Sequence, residues 1–215
     1  MTRMRMYLAA AAVLLLAPIA WAAASAAEVP SAATKADDLA RIEKYLNNLR
    51  TMKADFLQST NDGRIAEGKL YLQRPGRLRV EYKPPTPVLI VSDGRQVYYY
   101  DSELQQVNSG NLSDTPAAVL VRENYKLGKD VKVTRYERGP GVIRISLEDV
   151  KNSDAGELDL TFQDSPLVLK QWRVVDPQGV EITVALSNTR RDVPLAPQLF
   201  EFTDPTKTPL PFGDR

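Results

Sequence analysis

Two acidic pairs, Glu148 with Asp149 and Asp101 with Glu103, are the groups of this chain whose type and spacing could do chemistry. Paired carboxylates flanking a cleft are the machinery of glycoside hydrolysis, one as acid and the other as base or nucleophile. That division of labour needs one carboxyl held in an apolar setting that raises its pKa. No apolar setting surrounds either pair, and both read as solvated strand ends and turns. Asn152-Ser153-Asp154 offers oxygen atoms to a calcium ion but lacks the spaced ligand set of a calcium loop. Tyr98-Tyr99-Tyr100 could stack on a sugar, yet consecutive strand residues point to opposite faces, so the run reads as an amphipathic strand. The sequence holds no His and no Cys. Ser-His-Asp and Cys-His catalysis are excluded with them, as are zinc sites built on His or Cys. Neither a P-loop nor a Gly-x-Gly-x-x-Gly phrase is present. The expectation is a protein with no catalytic residue, no metal and no cofactor, hence not an enzyme.

The first 27 residues read as an export signal. Arg3 and Arg5 form a basic start, Leu8 to Ala20 an apolar stretch, and Ala24-Ser25-Ala26 or Ser25-Ala26-Ala27 a small-residue cleavage pattern. The apolar stretch is shorter than the roughly 20 residues that span a bilayer. Cleavage near Ala26-Ala27 would leave 28–215 as a single soluble domain working outside the cytoplasm, ending at Arg215 without a second domain or anchor. Lys plus Arg number 28 against 27 Asp plus Glu, a net charge of +1. Nucleic-acid binding needs concentrated positive charge and is not expected. Disulfides are absent although the compartment permits them, so stability must come from burial.

The elements that would position any site are mostly strands. Glu28 to Ala33 is a small-residue lead-in. Thr34 can cap a helix, with Asp37 completing a capping box. Leu39, Ile42, Leu46 and Leu49 follow on one stripe at helical spacing. From Lys53 the period becomes two: Ala54, Phe56 and Gln58; Leu70 and Leu72; Leu78, Val80 and Tyr82; Ile143, Ile145 and Leu147; Leu158, Leu160 and Phe162; Val180, Ile182, Val184 and Leu186. Turns at Asp62-Gly63, Pro75-Gly76, Asp93-Gly94 and Gln178-Gly179 separate such runs, the pattern of an antiparallel sheet with one apolar face. Thr115-Pro116 starts a short apolar helix through Val121. Two helices cannot cover roughly ten strands tightly, so a curved sheet with an incompletely filled interior and an ordinary packed core both stay open on pattern alone.

Several phrases together resemble the periplasmic outer-membrane lipoprotein carrier family, LolA. They are Phe56-Leu57-Gln58, Leu72-Gln73-Arg74-Pro75-Gly76-Arg77-Leu78, Glu81-Tyr82-x-x-Pro85, Ser92-Asp93-Gly94, Tyr100-Asp101, Gln106-Val107 and Phe200-x-Phe202-x-x-Pro205. No single phrase is specific; their order and spacing are. The resemblance implies a mainly β fold, an open, incomplete antiparallel β barrel whose concave apolar face is lidded by helices. It implies a lipid-binding cavity at Phe56, Leu70, Leu72, Leu78, Val80 and Tyr82. The lid helices would contribute Leu39, Ile42, Leu46, Leu49, Val119 and Leu120, with Arg74 as the latch between sheet and lid. Family members often carry a large aromatic where Val80 stands, so this cavity would differ in shape there. Asp101 is followed by Ser102 rather than a frequent proline. The implied function is a monomeric periplasmic chaperone that takes acylated lipoproteins from an inner-membrane ABC exporter to an outer-membrane receptor. Two other classes compete: a lipid-binding or lipoprotein-sensing domain of the same fold that does not shuttle, and a secreted carbohydrate-active enzyme.

Overall fold

The computed structural model describes residues 34–207 apart from 116, 152, 154, 155 and 176–178. The export segment 1–27, the lead-in 28–33, Pro116, Asn152, Asp154 and Gln178 lie outside the described residues. The first element is helix α1, Lys35–Asn48. Its capping box closes as the spacing predicts: Thr34 Oγ1 accepts from the Asp37 backbone N–H at 3.2 Å, and Asp37 Oδ2 accepts from the Thr34 N–H at 3.0 Å. Ile42 and Leu46 are fully buried on the expected stripe, joined by Tyr45. Leu49 is the residue after the helix, already extended, with φ −76° and ψ 95°.

Eleven strands then form one sheet. They are β1 Thr51–Thr60, β2 Ile65–Gln73, β3 Arg77–Tyr82, β4 Val88–Asp93, β5 Gln96–Asp101 and β6 Gln106–Asn111, followed by β7 Val131–Gly139, β8 Val142–Asp149, β9 Glu157–Gln163, β10 Val168–Val175 and β11 Glu181–Arg191. The spatial order is β6-β5-β4-β3-β2-β1-β11-β10-β9-β8-β7. The sheet is mainly antiparallel and not closed. It consists of two meanders, β1 to β6 and β7 to β11, joined where the first strand pairs with the last: Phe56 lies opposite Leu186 and Gln58 opposite Val184. On the other side of β1, Ala54 faces Leu70 and Met52 faces Leu72. Register therefore puts the alternating apolar residues of neighbouring strands on one face, because a one-residue slip would turn all of them to water.

Gly76 shows why the β2–β3 turn needs its glycine. It adopts φ +73°, and a Cβ there would stand 2.7 Å from Gly94 Cα in the β4–β5 turn. Two hairpin tips thus touch backbone to backbone.

The two edge strands, β6 and β7, are consecutive in sequence but lie at opposite ends of the sheet. Their connection has to travel across, and it does so over the apolar face. A 3-10 turn, Leu112–Asp114, leads to helix α2, Ala117–Val121. Val119, Leu120, Val121 and Tyr125 of this segment are buried, in the same cluster as Ile42, Leu46 and the inward side chains of both meanders. Among the described residues only α1 is a helix of substance; α2 is a short piece of five residues. The cover over the sheet is accordingly thin. None of the described helices is long and apolar enough to cross a membrane.

Candidate functional site

The inward face of the sheet is not completely filled. A cavity of about 200 Å³ lies between the two meanders, beneath Leu120 of α2. The first meander contributes Phe56 and Gln58 from β1, Leu70 from β2, Leu78, Val80 and Tyr82 from β3, and Ile90 from β4. The second contributes Leu158 from β9, Trp172 and Val174 from β10, and Ile182 and Val184 from β11. Apart from the Gln58 amide, the Tyr82 hydroxyl and the Trp172 indole N–H, the wall is hydrocarbon. A wider cleft of about 590 Å³ opens beside it, lined among others by Ile65, Val88, Ile90, Tyr99 and Ile182. Ile65 is 69% exposed and Tyr99 40%, so apolar surface continues from the cavity to solvent at this end of the sheet.

Leu72 stands apart from the wall. It is fully buried in the packed core and does not line the cavity. Its partner on β1 is Met52, the second residue of that strand, so this end of the sheet is filled by core side chains. Among the lid side chains, Ile42, Leu46, Leu49 and Val119 are buried in that core and Leu39 packs on its margin. Leu120 alone of the six reaches the cavity.

Arg74 follows β2 and turns its guanidinium under both parts of the lid. Nη1 donates to the Leu46 carbonyl in the last turn of α1, and Nη2 donates to the Leu120 carbonyl at 2.7 Å. The last carbonyls of a helix lack intrahelical partners and carry the negative end of its dipole. Neither helix supplies a basic residue in its own last turn, so Arg74 provides the missing cation from the sheet. The guanidinium also lies over the Tyr125 ring, 4.8 Å from its centroid, and Nη2 reaches the Tyr125 hydroxyl at 3.4 Å. That hydroxyl donates in turn to the Val119 carbonyl. Burial pushes the Tyr125 phenol up to about 12, against the pull of Arg74 and Arg122. The same burial draws the Arg74 guanidinium below its ordinary value. No carboxylate lies within ion-pair distance of Arg74 among the described residues, and its Nε is buried without a partner, as are Arg122 Nε and Gln73 Oε1. Leaving such groups unpaired costs about 1–3 kcal/mol each, which offsets part of what the carbonyl contacts contribute.

The rest of the lid is tied together and to the second meander. Asn47 exchanges two hydrogen bonds with the Tyr125 backbone, and the Leu127 N–H donates to Glu43 Oε2 at 2.9 Å. Arg122, just past α2, pairs with Asp149 at the end of β8. The start of α1 is pinned by charge. Asp38, fully buried, accepts from Arg138, from the Tyr136 hydroxyl at 2.7 Å and from Arg41 at 3.0 Å, while Arg41 and Arg138 both reach Asp164. Burial alone would raise the Asp38 pKa; hydrogen bonds from Arg138 and Tyr136, with the charges of Arg138 and Arg41, outweigh it and hold the carboxyl below its ordinary value.

The acidic pairs are used structurally. Asp149 is the partner of Arg122, and Glu148 pairs with Lys132. Asp101 caps its turn by accepting the N–H groups of Glu103 and Leu104, both at 2.9 Å. Tyr98 stacks on Phe202, centroids 4.7 Å apart, while Tyr99 points to the opposite face and lines the outer cleft. Several residues of the site escape sequence reasoning. Trp172 and Val174 alternate around Arg173, a period-two signal that could have marked β10 as a wall strand. Nothing in the local pattern marks Tyr125 or Asn47, whose roles depend on what α1 meets in space.

A family model described as outer membrane lipoprotein carrier protein LolA matches residues 47–203, a span that includes every cavity-lining residue and Arg74. An outer-membrane lipoprotein carrier protein of Chromobacterium violaceum is 29% identical over 205 residues, covering 92% of this chain and 98% of that one. Another, from Alkalilimnicola ehrlichii, is 32% identical over 184 residues and covers 81% of both chains. Among solved structures, a LolA superfamily protein from Nitrosomonas europaea is similar with a TM-score of 0.46 at 12% identity, covering 76% of this chain and 97% of that one.

Proposed function

Since the chain belongs to the LolA family of outer membrane lipoprotein carrier proteins, we propose that it is a periplasmic carrier of acylated lipoproteins, exported with cleavage near Ala26-Ala27, and that residues 28–215 act as one soluble domain. It accepts cargo from an inner-membrane ABC exporter and delivers it to an outer-membrane receptor. The observation that carries this reading is an unfilled hydrocarbon cavity beneath a thin lid fastened by Arg74.

Volume decides how the cavity must work. A cavity of about 150 Å³ accommodates one benzene, so about 200 Å³ is far too small for the acyl chains of a lipoprotein. The closed form described above is therefore the empty carrier, and loading swings α1 and the α2 segment off the sheet. Hydrogen bonds to a charged donor contribute about 1.5–3 kcal/mol net. Less the cost of the unpaired Arg74 Nε, that is enough to bias an open–closed equilibrium without freezing it. Burying each acyl methylene contributes about 0.8 kcal/mol, so chains of ordinary length do not leave unaided. Transfer is a handover between apolar surfaces, with the recipient holding the chains better than the carrier does. The chain's own residues need bind no nucleotide for this.

The test is a photo-crosslinker placed at Val80, which lines the cavity, and at Glu81, which pairs with Arg79 on the other face. Capture of lipoprotein in cells from Val80 and not from Glu81 is the expected result. Capture confined to Glu81 overturns the reading.

A further inference from the structure

Four residues line both the inner cavity and the outer cleft: Gln58 of β1, Tyr82 of β3, Ile90 of β4 and Ile182 of β11. They stand at the neck between the two spaces. Two of them are polar and hold each other, the Tyr82 hydroxyl donating to Gln58 Oε1 at 2.6 Å. β1 and β3 are not neighbours, because β2 runs between them. The bond therefore crosses β2 on the diagonal, from Gln58, which is in register with Ala66, to Tyr82, which is in register with Gly68; Gly68 in turn has Phe56 on its other side. The Phe56 ring meets Tyr82 edge to face, centroids 5.2 Å apart at 84°. A Cβ on Gly68 would come within 2.6 Å of the Phe56 ring and 2.1 Å of the Glu81 carbonyl. Glycine here is what lets the Phe56 ring lie over β2 against Tyr82.

A wall that only has to be apolar has no use for this arrangement. Leucine at position 58 and phenylalanine at 82 would fill the same inward register without desolvating an amide and a hydroxyl. Among the described residues Gln58 is the sole amide in the inner wall. Its bond to Tyr82 is satisfied only while the two remain together or while both reach water.

We propose that Tyr82 and Gln58 form a polar gate across the path of an acyl chain, and that the gate discriminates chains by length. The inference deepens the carrier reading above and rests on it. Once α1 and the α2 segment have swung off the sheet and the inner space has widened, a chain entering from the outer cleft must still part the pair, which stands on β1 and β3 and not on the lid. Inside hydrocarbon, each separated group would be left without a partner, and only the burial of methylenes beyond the neck can balance that cost. Every added methylene helps and a short chain supplies too few. Long chains therefore open the gate, and short amphiphiles stay in the outer cleft.

Trp172 lines the inner cavity and gives a built-in reporter. The experiment uses the protein recovered from the periplasm and carrying Trp21→Phe, so that Trp172 is the remaining tryptophan of the two whether or not the export segment has been removed. The probes are stearate and octanoate, each with a nitroxide at its methyl end, and the readout is the rate at which each quenches Trp172. The parent should be quenched by stearate much faster than by octanoate. Tyr82→Phe keeps the ring and loses the hydroxyl. It should raise the octanoate rate on the order of tenfold, the effect of one hydrogen bond of ordinary net strength on a barrier. Gln58→Leu should act in the same direction, and the double variant should add little to either single one, since both break one bond. A stearate-to-octanoate ratio unchanged in both variants, with normal quenching by stearate, overturns the gate and leaves the carrier reading standing. No quenching of the parent by either probe overturns the acyl-binding reading, and the gate falls with it.

Discussion

Asn47 and Tyr125 hold each other through both ends of one side-chain amide. Nδ2 donates to the Tyr125 carbonyl at 3.1 Å, and Oδ1 accepts the Tyr125 N–H at 2.7 Å. They are 78 residues apart, and the link makes α1 and the segment that crosses the sheet into one body. With the Glu43 bond to the Leu127 N–H beside it, α1 and the crossing segment should move as a unit when the proposed carrier opens.

Asn47→Leu should therefore cut the lid in two. It leaves a backbone donor and a backbone acceptor unpaired beside a buried ring, a loss of about 1–3 kcal/mol. Hydrogen exchange at the Tyr125 amide should accelerate far more than exchange in the β8–β9 core. Equal protection of Tyr125 in parent and variant would show that the amide link does not couple the two segments.

Arg74→Leu should alter release more than loading. The variant loses the guanidinium bonded to the Leu46 and Leu120 carbonyls and adds hydrocarbon beneath α1 and α2; if Arg74 fastens the closed carrier as proposed, the open, filled form should lose little while the closed, empty one should lose its fastening. Transfer from loaded carrier to receptor should slow by an order of magnitude or more. Arg74→Lys keeps the charge but cannot reach the Leu46 and Leu120 carbonyls with one planar fork, and should fall between. Equal transfer rates for parent and Arg74→Leu would remove Arg74 from the mechanism.

Asp38 gives the fold an acid-sensitive pin. A carboxylate whose pKa is depressed by folding stabilises the native state above its unfolded value of about 3.9 and loses that contribution as pH falls through the lower folded value. Thermal stability should hold constant from neutral pH to about pH 4 and then decline. Asp38→Asn should lower stability at neutral pH by on the order of 2 kcal/mol, less than for a fully buried pair because Arg138 and Arg41 keep access to water, and should flatten the decline below pH 4. Parallel pH profiles for the two proteins would rule out Asp38 as the titrating pin.

Gly68→Ala should be costly in a way few glycine substitutions in a strand are. The added methyl meets a backbone carbonyl at 2.1 Å, which cannot rotate away as a flexible side chain could. Overpacking of this kind typically costs about 1–3 kcal/mol. The melting temperature should drop by several degrees, and Phe56→Leu in the same chain should restore little of it, because the carbonyl clash persists. Full rescue by Phe56→Leu would place the conflict in the ring alone.

The alternation of Phe56 with Gln58, Leu70 with Leu72 and Leu78 with Tyr82 was enough to identify inward strand faces, because side-chain direction along a strand has a strict period of two. The capping box at Thr34 and Asp37 marked the start of α1, since its donors and acceptors lie within four residues. Arg74 as a link from sheet to lid came from the resemblance, not from its own surroundings, where Gln73, Pro75 and Gly76 suggest only a turn. What the chain order could not disclose is which strand faces which. Leu158, Trp172 and Ile182 complete the cavity wall because β1 pairs with β11, a contact between strands separated by most of the chain. The same closure filled one end of the sheet with core and left Leu72 there instead of in the wall. Tyr125, Asn47 and the Tyr82–Gln58 gate exist only once α1, the crossing segment and three adjacent strands are in place. Local pattern records which side of a strand is apolar; whether that side becomes packed core or open cavity depends on how much covering the rest of the chain supplies, and the described residues supply one substantial helix and five residues of another.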